Sequence, residues 1–374
     1  MEFIIRKEIF EEAINKVGKI TLKKVSLPIL ENLLIETEKN FVKISATNLE
    51  SGIIYWVLGK IEKPGKTCVN AKFLNNVVNS LPEGLIKFLL EDYTLKAECD
   101  TIKFKIKTLN PEEFPIIPLP KNEESLFIDN TSFIKSLLKT INFPSPSLSR
   151  PEISGIFLSF EKNLIRIAAT DSFRLAEKKI FQDLNLSKEY NLILPQSVAK
   201  EFIQIFGDKE GKIKISFSPS QIFFEFPMEG IEHSQILFTS RLIEGEYPNY
   251  QEIIPKKFQT KIKIKKEEFL NQIKTASLFS GKMNEVKLKV KPKEKKIEVL
   301  SQNPDFGEYK SEIEGEIEGE EILISFNHRF LTEGILAIEE KNLLFELTSE
   351  EGPAILRPEK SEDYFYVLMP IKAS

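Results

Sequence analysis

The internal repeat of this sequence constrains its fold more than any other feature, because distant segments match at one fixed offset. Residues 30–50 (LENLLIETEKNFVKISATNLE) and residues 153–173 (ISGIFLSFEKNLIRIAATDSF) each place two alternating segments around a Glu-Lys-Asn turn. Both then reach Ala-Thr followed by Asn48 or Asp171, which lie 123 positions apart. The same offset superposes EIFEEAINKV on TSFIKSLLKT. Two separate segments that share one offset indicate a tandem duplication.

A third copy is fainter but follows the same order. KKEEFLNQIKTASLF is similar to the opening segment, and VKLKVKPKEKKIEVLSQNPD is similar to the alternating pair with its polar stop. Apolar residues at helical spacing, such as Phe10, Ile14 and Val17, predict that the opening segment is a helix with one buried face. Each copy also has a second helical segment midway: VNAKFLNNVVNSLPEG, LPQSVAKEFIQIFGDKEG and FNHRFLTEGILAIEEKN. Alternating segments such as LKAECDTIKFKIKTL predict antiparallel strands.

Two proline-containing joints, NPEEFPIIPLPKNEE and GEYPNYQEIIPKK, separate the copies. Each copy then runs helix, strands, helix, strands, so the sequence predicts an α+β fold of three tandem domains at 1–122, 123–252 and 253–374. The length of 374 residues fits this division, because single cores rarely grow beyond about 250–300 residues. Chance similarity between strand-rich segments is the alternative, and the recurrence of helices, strand pairs and joints in one order argues against it.

The charge balance limits any contact with nucleic acid to part of the surface. With 52 basic and 56 acidic residues the net charge is −4, which argues against a protein that binds nucleic acid over its whole surface. Cys68 and Cys99 are too few for a disulfide framework or a thiolate metal site, and we expect two reduced, apolar side chains. Charges interrupt the N-terminal apolar residues and no apolar run is of membrane-spanning length, so we expect a cytoplasmic protein. We also expect that it has no cofactor.

Four strings then indicate a family. LPILENLLIE, ATDSFRLAEKK, FTSRLIEGEYPNYQEIIP and YVLMPIKAS resemble, in order and spacing, signature segments of the bacterial DNA polymerase III β subunits, the sliding clamps. The resemblance spans the whole chain, and ATDSFRLA and YVLMP are its most specific parts. It implies a non-enzymatic processivity factor: a head-to-tail homodimer in which two helices of each clamp domain pack on antiparallel sheets and six domains close a ring with pseudo-sixfold symmetry. Such a ring slides on duplex DNA without sequence specificity and tethers replicative and repair polymerases.

Basic residues on the predicted helices and in nearby loops are the candidate DNA contacts, because Lys and Arg bind phosphates through counterion release. The resemblance places two of them, Lys24 and Arg150, in loops where clamps contact DNA. Each helix residue alone fits a solvated surface charge equally well. Gln196 and Ser197 stand where some clamps have basic residues, so we expect weaker contact there. We find no base-reading motif and expect sequence-independent, salt-sensitive binding. The full set is Lys16, Lys19, Lys23, Lys24, Lys72, Lys135, Lys139, Arg150, Lys200, Lys274 and Arg329.

The resemblance also implies a groove between the second and third domains that accepts short apolar peptides from polymerases, the clamp loader and repair proteins. A largely apolar concavity with adaptable Met and one Arg suits several related peptides. Phe173 stands where His is frequent and Glu252 where a basic side chain occurs in some clamps, which leaves the specificity of the rim open. The VLMP segment alone would also fit an edge strand of a core. The predicted wall comprises Ile153, Thr170, Ser172, Phe173, Arg174, Leu175, Pro248, Ile253, Val367, Leu368, Met369, Pro370 and Ile371.

Ring closure is expected to join the first domain of one protomer to the third domain of its partner. Phe104 and Ile106 in the alternating segment TIKFKIK match family interface positions, as do Leu278 and Phe279 after the first helix of copy three. An edge strand with unpaired backbone groups favours pairing with a partner strand. Each of these side chains alone also fits an ordinary core residue.

Two other classes of function fit the sequence less well. His233 and His328 have no metal-ligand or nucleophile pattern around them, which argues against an enzyme. The segment from Gly59 to Thr67 is superficially similar to a phosphate loop, but five residues separate its glycines and Pro64 is one of them, so we expect a turn between strands. A scaffold that recruits proteins without enclosing DNA is the remaining alternative.

Overall fold

The computed structural model of the chain describes residues 1–21, 27–121, 124–147 and 149–372. Helices and antiparallel strands alternate along it, and the predicted α+β class is confirmed. Two compact units are present, and each combines segments that are distant in sequence. Unit one consists of Met1–Ile134, Leu184–Lys188 and Leu194–Glu244; unit two consists of Lys135–Asp183, Glu189–Ile193 and Gly245–Ser374.

Six α-helices lie in the described residues, two in each predicted copy, as the repeat indicates. The phenylalanine that recurs in the opening helices, Phe10, Phe133 and Phe269, is fully buried in all three. Asparagine side chains begin two of the midway helices, since Asn70 accepts from the Phe73 amide and Asn327 from the Arg329 amide. The helices are α1 (Lys7–Val17), α2 (Ala71–Asn79), α3 (Asn130–Leu138), α4 (Gln196–Phe206), α5 (Lys266–Ser277) and α6 (His328–Ala337).

The strands follow the period-two pattern of the sequence. The first thirteen are β1 (Glu2–Arg6), β2 (Asn32–Glu38), β3 (Phe41–Thr47), β4 (Ser51–Leu58), β5 (Lys60–Lys63), β6 (Lys66–Asn70), β7 (Leu85–Glu91), β8 (Thr94–Cys99), β9 (Ile102–Lys107), β10 (Glu124–Asp129), β11 (Gly155–Glu161), β12 (Leu164–Thr170) and β13 (Arg174–Phe181). The others are β14 (Tyr190–Pro195), β15 (Lys212–Phe217), β16 (Gln221–Pro227), β17 (Ser234–Arg241), β18 (Thr260–Lys265), β19 (Glu285–Lys291), β20 (Lys296–Asn303), β21 (Gly307–Glu314), β22 (Glu316–Gly319), β23 (Ile322–Asn327), β24 (Asn342–Leu347), β25 (Ala354–Pro358) and β26 (Tyr364–Leu368). The segment from Gly59 to Thr67 forms β5 and the start of β6, joined through Pro64 and Gly65, rather than a phosphate loop.

Unit one contains a sheet shared between copies one and two. Its eight strands have the order β10-β15-β16-β17-β4-β3-β2-β6. The pairing of β4 with β17, which places Ser51 opposite Ser240 and Gly52 opposite Thr239, is called here the first seam. A second, five-stranded sheet has the order β5-β1-β7-β8-β9, so β9 is an edge strand.

Unit two repeats this plan between copies two and three. Its nine-stranded sheet has the order β14-β11-β12-β13-β26-β25-β24-β18-β22. The pairing of β13 with β26, which places Arg174 opposite Leu368 and Leu175 opposite Val367, is the second seam. A four-stranded sheet has the order β21-β20-β19-β23, and β21 is one of its edges.

Aromatic side chains fill the space between helices and sheets. The rings of Phe3 and Phe88 stack at 4.9 Å, and those of Phe202 and Phe224 lie 4.6 Å apart. Truncation of a buried ring of this kind to alanine costs about 3–5 kcal/mol. Both cysteines are buried and free, and burial raises the pKa of the Cys68 thiol to about 12. Among the helices described, none is long and apolar enough to cross a membrane.

Candidate functional site

The predicted groove residues on β13 and β26 lie side by side at the second seam, within unit two. The β13 and β26 pairing aligns Leu175 with Val367, and the hydrogen bond from the Met369 amide to the Phe173 carbonyl (2.9 Å) continues the alignment past the strand ends. The Ile371 amide donates to the Ser325 carbonyl at 2.8 Å, which fixes the segment that follows. Two of the distant strings therefore meet here, and Tyr250 from a third packs with Leu175 and Val367, while the groove itself stays a prediction.

The turn between β12 and β13 presents the rim of the groove. The Asp171 carboxylate accepts from the amides of Phe173 and Arg174, both at 3.0 Å. The Thr170 hydroxyl donates to the Arg174 carbonyl and accepts from the Ser172 amide, while Ser172 has a left-handed φ of 77°. Asp and Thr side chains commonly close turns in this way. The consequence is that Phe173 projects to solvent with 62% of its surface exposed.

Arg174 connects the turn to the last helix of the chain. Its guanidinium lies 4.3 Å from the ring centre of Phe330 and 5.1 Å from that of Phe143. It also pairs with the carboxylates of Asp171 (2.9 Å) and Glu333. A planar guanidinium can stack on aromatic rings and bind two carboxylates at the same time. Arg174 therefore positions the rim against α6.

The predicted wall residues divide by burial into a buried set and an exposed set. Leu175, Val367 and Ile153 are buried, and Leu175 and Val367 pack with Tyr250 and Ile355. Phe173, Ile253 and Met369 are exposed large apolar side chains. Ser172 is exposed, Thr170 is buried, and Pro248, Pro370 and Ile371 are intermediate.

One wall residue lies elsewhere. Leu368 is fully buried in the hydrophobic core with Tyr366 and Ala176, because alternation along β26 turns it away from the face of Val367. Its prediction as part of the groove wall is therefore wrong for the side chain.

Sequence reasoning missed the residues that support the groove from beneath. Phe143, Phe330 and Glu333 hold Arg174, and Tyr247 and Tyr250 pack on Phe157 with ring centres 4.8 and 5.8 Å away. The Tyr250 hydroxyl also donates to the Glu177 carboxylate at 2.5 Å. The strings FNHRFLTEG and GEYPNYQEIIP contained most of these residues, but nothing in either string indicated which side chain each would contact.

Most of the candidate DNA-facing cations are exposed. Arg150 is the only one of these with an ion pair in the described ranges, to Glu152 at 3.1 Å, and its guanidinium also donates to the Ser172 hydroxyl at 3.4 Å. Lys23 and Lys24 lie outside the described residues. The exposed candidates are Lys19, Lys72, Lys135, Arg150, Lys200, Lys274 and Arg329.

Lys16 and Lys139 do not lie on exposed helix faces as expected. Lys16 is only 7% exposed; its ammonium donates to the Ile205 carbonyl at 2.7 Å and pairs with Asp208. Lys139 is half-buried and donates to the Ala337 carbonyl at 2.5 Å. The expectation of solvent-facing side chains is wrong for both, because each lies against the end of a helix from the following copy.

The predicted subunit contacts lie on or near two sheet edges. Phe104 and Ile106 belong to the edge strand β9, where Phe104 is half-buried and Ile106 is buried within its own unit. Leu278, directly after α5, is 72% exposed, and Phe279 stacks on Tyr309 of the edge strand β21 at 5.7 Å. Leu278 and the two strand edges are therefore the parts that remain accessible for a partner.

Neither histidine has the surroundings of a catalytic group. His233 stacks on Phe41 with ring centres 4.6 Å apart, and burial lowers the pKa of His328 at the start of α6. No cluster of three or more metal-ligating side chains is present in the portion of the chain that the structure describes.

Comparison with known families gives one consistent result along the chain. The family model for the N-terminal domain of the DNA polymerase III beta subunit matches residues 1–118, that for the central domain residues 129–249, and that for the C-terminal domain residues 251–372. The chain is similar to the beta sliding clamp of Bacillus subtilis, with 27% identity over 385 residues and full coverage of both sequences. It is 25% identical to the beta sliding clamp of Staphylococcus aureus, covering 100% of this chain and 99% of that protein.

Solved structures of sliding clamps have the same fold over their full lengths. The Bacillus subtilis clamp superposes with a TM-score of 0.92 at 26% identity, and the beta subunit from Pseudomonas aeruginosa with a TM-score of 0.94 at 21% identity. A further Pseudomonas aeruginosa clamp, solved with griselimycin bound, superposes with a TM-score of 0.93 at 21% identity. Each comparison covers 100% of both chains.

Proposed function

The chain belongs to the DNA polymerase III beta subunit family, the bacterial sliding clamps, and we propose that it forms a ring that encircles duplex DNA. It is a non-enzymatic processivity factor for DNA polymerase. One observation supports this proposal most strongly. The models of the three clamp domains match the chain in order, and the same kind of strand pairing joins copy one to copy two and copy two to copy three. We place the domain boundaries at residues 122 and 252, in the two proline-containing joints, and the site of action in the cytoplasm, where bacterial replication takes place.

Two sheet edges support closure of the ring. Each internal seam joins a strand of one copy to a strand of the next, and β9 of copy one and β21 of copy three are edge strands of their own sheets. Pairing of β9 with β21 of a second protomer would repeat the internal pattern and satisfy the unpaired backbone groups of both strands. A head-to-tail contact of this kind closes only if its rotation suits the number of copies. Phe104, Ile106, Leu278 and Phe279 are the proposed contact residues.

The exposed cations support contact with the DNA backbone. Lys72, Lys200 and Arg329 lie on midway helices, and Lys135 and Lys274 on opening helices. Ammonium and guanidinium groups without an internal carboxylate partner are available to phosphates, and such contacts do not distinguish bases. We therefore propose sequence-independent binding that weakens with salt. Lys16 and Lys139 bind carbonyl and carboxylate groups of the chain itself, so the exposed cations are the proposed phosphate contacts.

The groove at the second seam is proposed as the site for polymerase and repair peptides. Exposed Phe173, Ile253 and Met369 border a floor of buried Leu175 and Val367. Burial of two or three large apolar side chains contributes roughly 3 to 9 kcal/mol before ordering costs, so single peptides bind weakly and exchange. A clamp-motif peptide should lose affinity for the variants Met369→Ala and Leu175→Ala, and equal binding to wild type would remove this assignment.

Retention on circular DNA tests the function as a whole. The chain is loaded onto nicked circular plasmid by a bacterial clamp loader with ATP, and the complex is purified at a salt concentration that removes ordinary binders. We expect the chain to remain on the circle and to be lost after a restriction enzyme linearises it. A scaffold that never encloses DNA, or an ordinary binder, would give equal retention on both forms.

A second measurement does not depend on the clamp loader, so it tests the ring even where loading fails. Mass in solution combined with electron microscopy should give a dimer with a central opening. A monomer without an opening at all concentrations would overturn the ring, whatever the loader does.

A further inference from the structure

The first seam contains a turn with the same hydrogen bonds as the rim of the peptide groove. The Thr47 hydroxyl donates to the Ser51 carbonyl at 2.8 Å and accepts from the Leu49 amide, as the Thr170 hydroxyl does with Arg174 and Ser172. The Asn48 side chain accepts a hydrogen bond from the Ser51 amide, as the Asp171 side chain accepts one from the Arg174 amide. Leu49 has a φ of 74°, close to the 77° of Ser172. The two turns are therefore the same structure, 123 residues apart.

The strands that follow these turns also correspond. Ser51 lies opposite Ser240 at the first seam, and Arg174 lies opposite Leu368 at the second. The register therefore matches Thr239 with Val367 and Arg241 with Met369. The two proline-containing joints, which are the linkers between copies, correspond as well. Their segments PEEFPIIP and PNYQEIIP share the pattern of a proline, four residues, two isoleucines and a proline. Ile116 is thus the counterpart of Ile253.

Open space lies between these elements at the first seam. A groove of about 330 Å³ is lined by the turn, the linker and the ends of β16 and β17. Ile116 is 95% exposed beside it and Leu49 is 47% exposed. The lining residues that carry the argument are Leu49, Glu50, Gly52, Ile116, Thr239 and Arg241.

The linker is seated on the seam through its second isoleucine. Ile117 packs on Ile54, Phe223 and Leu237, and a Cβ added to Gly52 would lie 2.9 Å from the Ile117 side chain. Glycine at this position, where the second seam has Leu175, therefore makes room for the linker itself. Ile116, the neighbouring residue, is left pointing away from that cluster and into solvent, as its exposure shows.

The chemistry of the groove differs from that of the second seam. Arg241 takes the place of Met369, and its guanidinium has no carboxylate within ion-pair distance in the described part of the chain. Thr239 takes the place of Val367; it is 3% exposed, and its hydroxyl oxygen is buried. The lining also contains one exposed carboxylate, Glu50. The groove thus combines apolar contact area with a guanidinium that forms no ion pair among the described residues.

We propose that the groove at the first seam is a second peptide-docking site, which takes an acidic, leucine-containing segment of a partner protein. A carboxylate of the segment pairs with Arg241, and its apolar side chains pack on Ile116 and Leu49. Arg241 lies at the end of the groove and forms no ion pair in the described residues, not even with Glu50 of the same lining, so its guanidinium is available to a ligand carboxylate. The proposal extends the proposed function and takes from it only the geometry of a peptide groove at a seam.

Fluorescence anisotropy tests the site with a labelled peptide of sequence GSDLDLLSG and a control peptide in which lysines replace both aspartates. In the full-length chain we expect the acidic peptide to bind, and Arg241→Glu and Ile116→Ser each to weaken it by about tenfold or more. The matched control is Met369→Ala, which alters the corresponding position at the second seam and should leave this binding unchanged. Circular dichroism melting of each variant verifies that it is folded.

Three results would overturn the proposal. The first is absence of saturable binding up to about 1 mM peptide, the weakest affinity that a specific site would show. The second is binding lost in Met369→Ala and retained in Arg241→Glu, which would assign the peptide to the second seam. The third is displacement of the peptide by a short DNA duplex together with equal binding of the lysine peptide, which would make Arg241 a nucleic-acid contact. An apolar clamp-motif peptide, measured in parallel, reports on the second seam separately, so failure of one site is distinguishable from failure of the other.

Discussion

Lys16 and Lys139, which lie 123 residues apart, make the same contact at the two seams. The Lys16 ammonium donates to the carbonyl of Ile205 near the end of α4, and the Lys139 ammonium donates to the carbonyl of Ala337 at the end of α6. A carboxylate just beyond each helix completes the site, Asp208 in one and Glu339 in the other. Cations at helix C-termini interact favourably with the last carbonyls and with the helix dipole.

The third copy lacks this contact. Alignment on the buried phenylalanines places Thr275 where the other copies have Lys16 and Lys139. Thr275 is exposed, and its hydroxyl donates to the Asn271 carbonyl within its own helix. The two internal seams therefore have a charged contact that the end of copy three cannot offer to a partner.

Replacement of Lys16 by methionine should lower stability, since it removes two charge-assisted hydrogen bonds and leaves Asp208 without its cation. We expect a loss of about 1–3 kcal/mol in the unfolding free energy of unit one. Thermal melting and hydrogen exchange at the end of α4 measure it. Lys19→Met, three residues further along at an exposed position, is the control; equal effects of the two variants would contradict the role of Lys16.

Acid should reduce the difference between wild type and Lys16→Met, because it removes the contribution of Asp208 and leaves that of the Ile205 carbonyl. Burial alone would raise the pKa of Asp208, but the Lys16 ammonium outweighs burial and holds the pKa below its usual 3.8. A carboxyl group with a lowered pKa in the folded state stabilises the fold above the unfolded value and loses that contribution as pH falls through the folded value. The difference in melting temperature should be full between pH 5 and 7 and shrink below about pH 3.8. A difference that is constant down to pH 2.5 would exclude the ion pair as its cause.

Repetition made most of the fold predictable from sequence. The helices, the strand pairs and the turn after Thr170 follow from local patterns that recur in order, and the burial of Phe10 and Phe133 follows from helical spacing. The burial of Lys16 could not be predicted, because the carbonyl that it meets belongs to Ile205, 189 residues away. Local periodicity predicts which face of a helix is buried. It does not indicate which distant segment packs along the edge of that face.

The meeting of β13 with β26 was predictable from the sequence, whereas the contacts around it were not. The strings at Thr170 and Met369 identified the strands that meet, but the support of Arg174 by Phe143 and Phe330 depends on where α6 packs. Leu368 was misplaced because the resemblance identified a segment, whereas the side of the strand that each residue occupies follows from the register.

Charges at the proposed intermolecular seam should separate the protomers. Phe104→Asp on β9 and Leu278→Asp after α5 would each place a carboxylate in the proposed interface, where its desolvation opposes association. We expect folded monomers by light scattering coupled to size-exclusion chromatography. Phe181→Asp, an exposed aromatic at the end of β13, is the control and should stay dimeric. A dimer mass for all three variants would show that these edges do not meet.

Arg174→Lys should weaken peptide binding at the second seam although it keeps the positive charge. A lysine ammonium cannot stack on Phe330 and Phe143 while pairing with both Asp171 and Glu333, as the planar guanidinium does. The turn that presents Phe173 then loses its attachment to α6, and we expect the affinity for a clamp-motif peptide to fall by about tenfold. Anisotropy titrations measure this loss.

The matched control for that variant is Arg166→Lys. Arg166 also lies between two carboxylates, Glu161 at 2.6 Å and Glu177 at 3.7 Å, but it makes no cation–π contact found among the described residues and is not one of the predicted wall residues. If the two variants lose affinity equally, the effect reflects general loosening of the sheet rather than the position of the rim. If Arg174→Lys binds as wild type does, the charge alone is sufficient and the stacked geometry has no part in recognition.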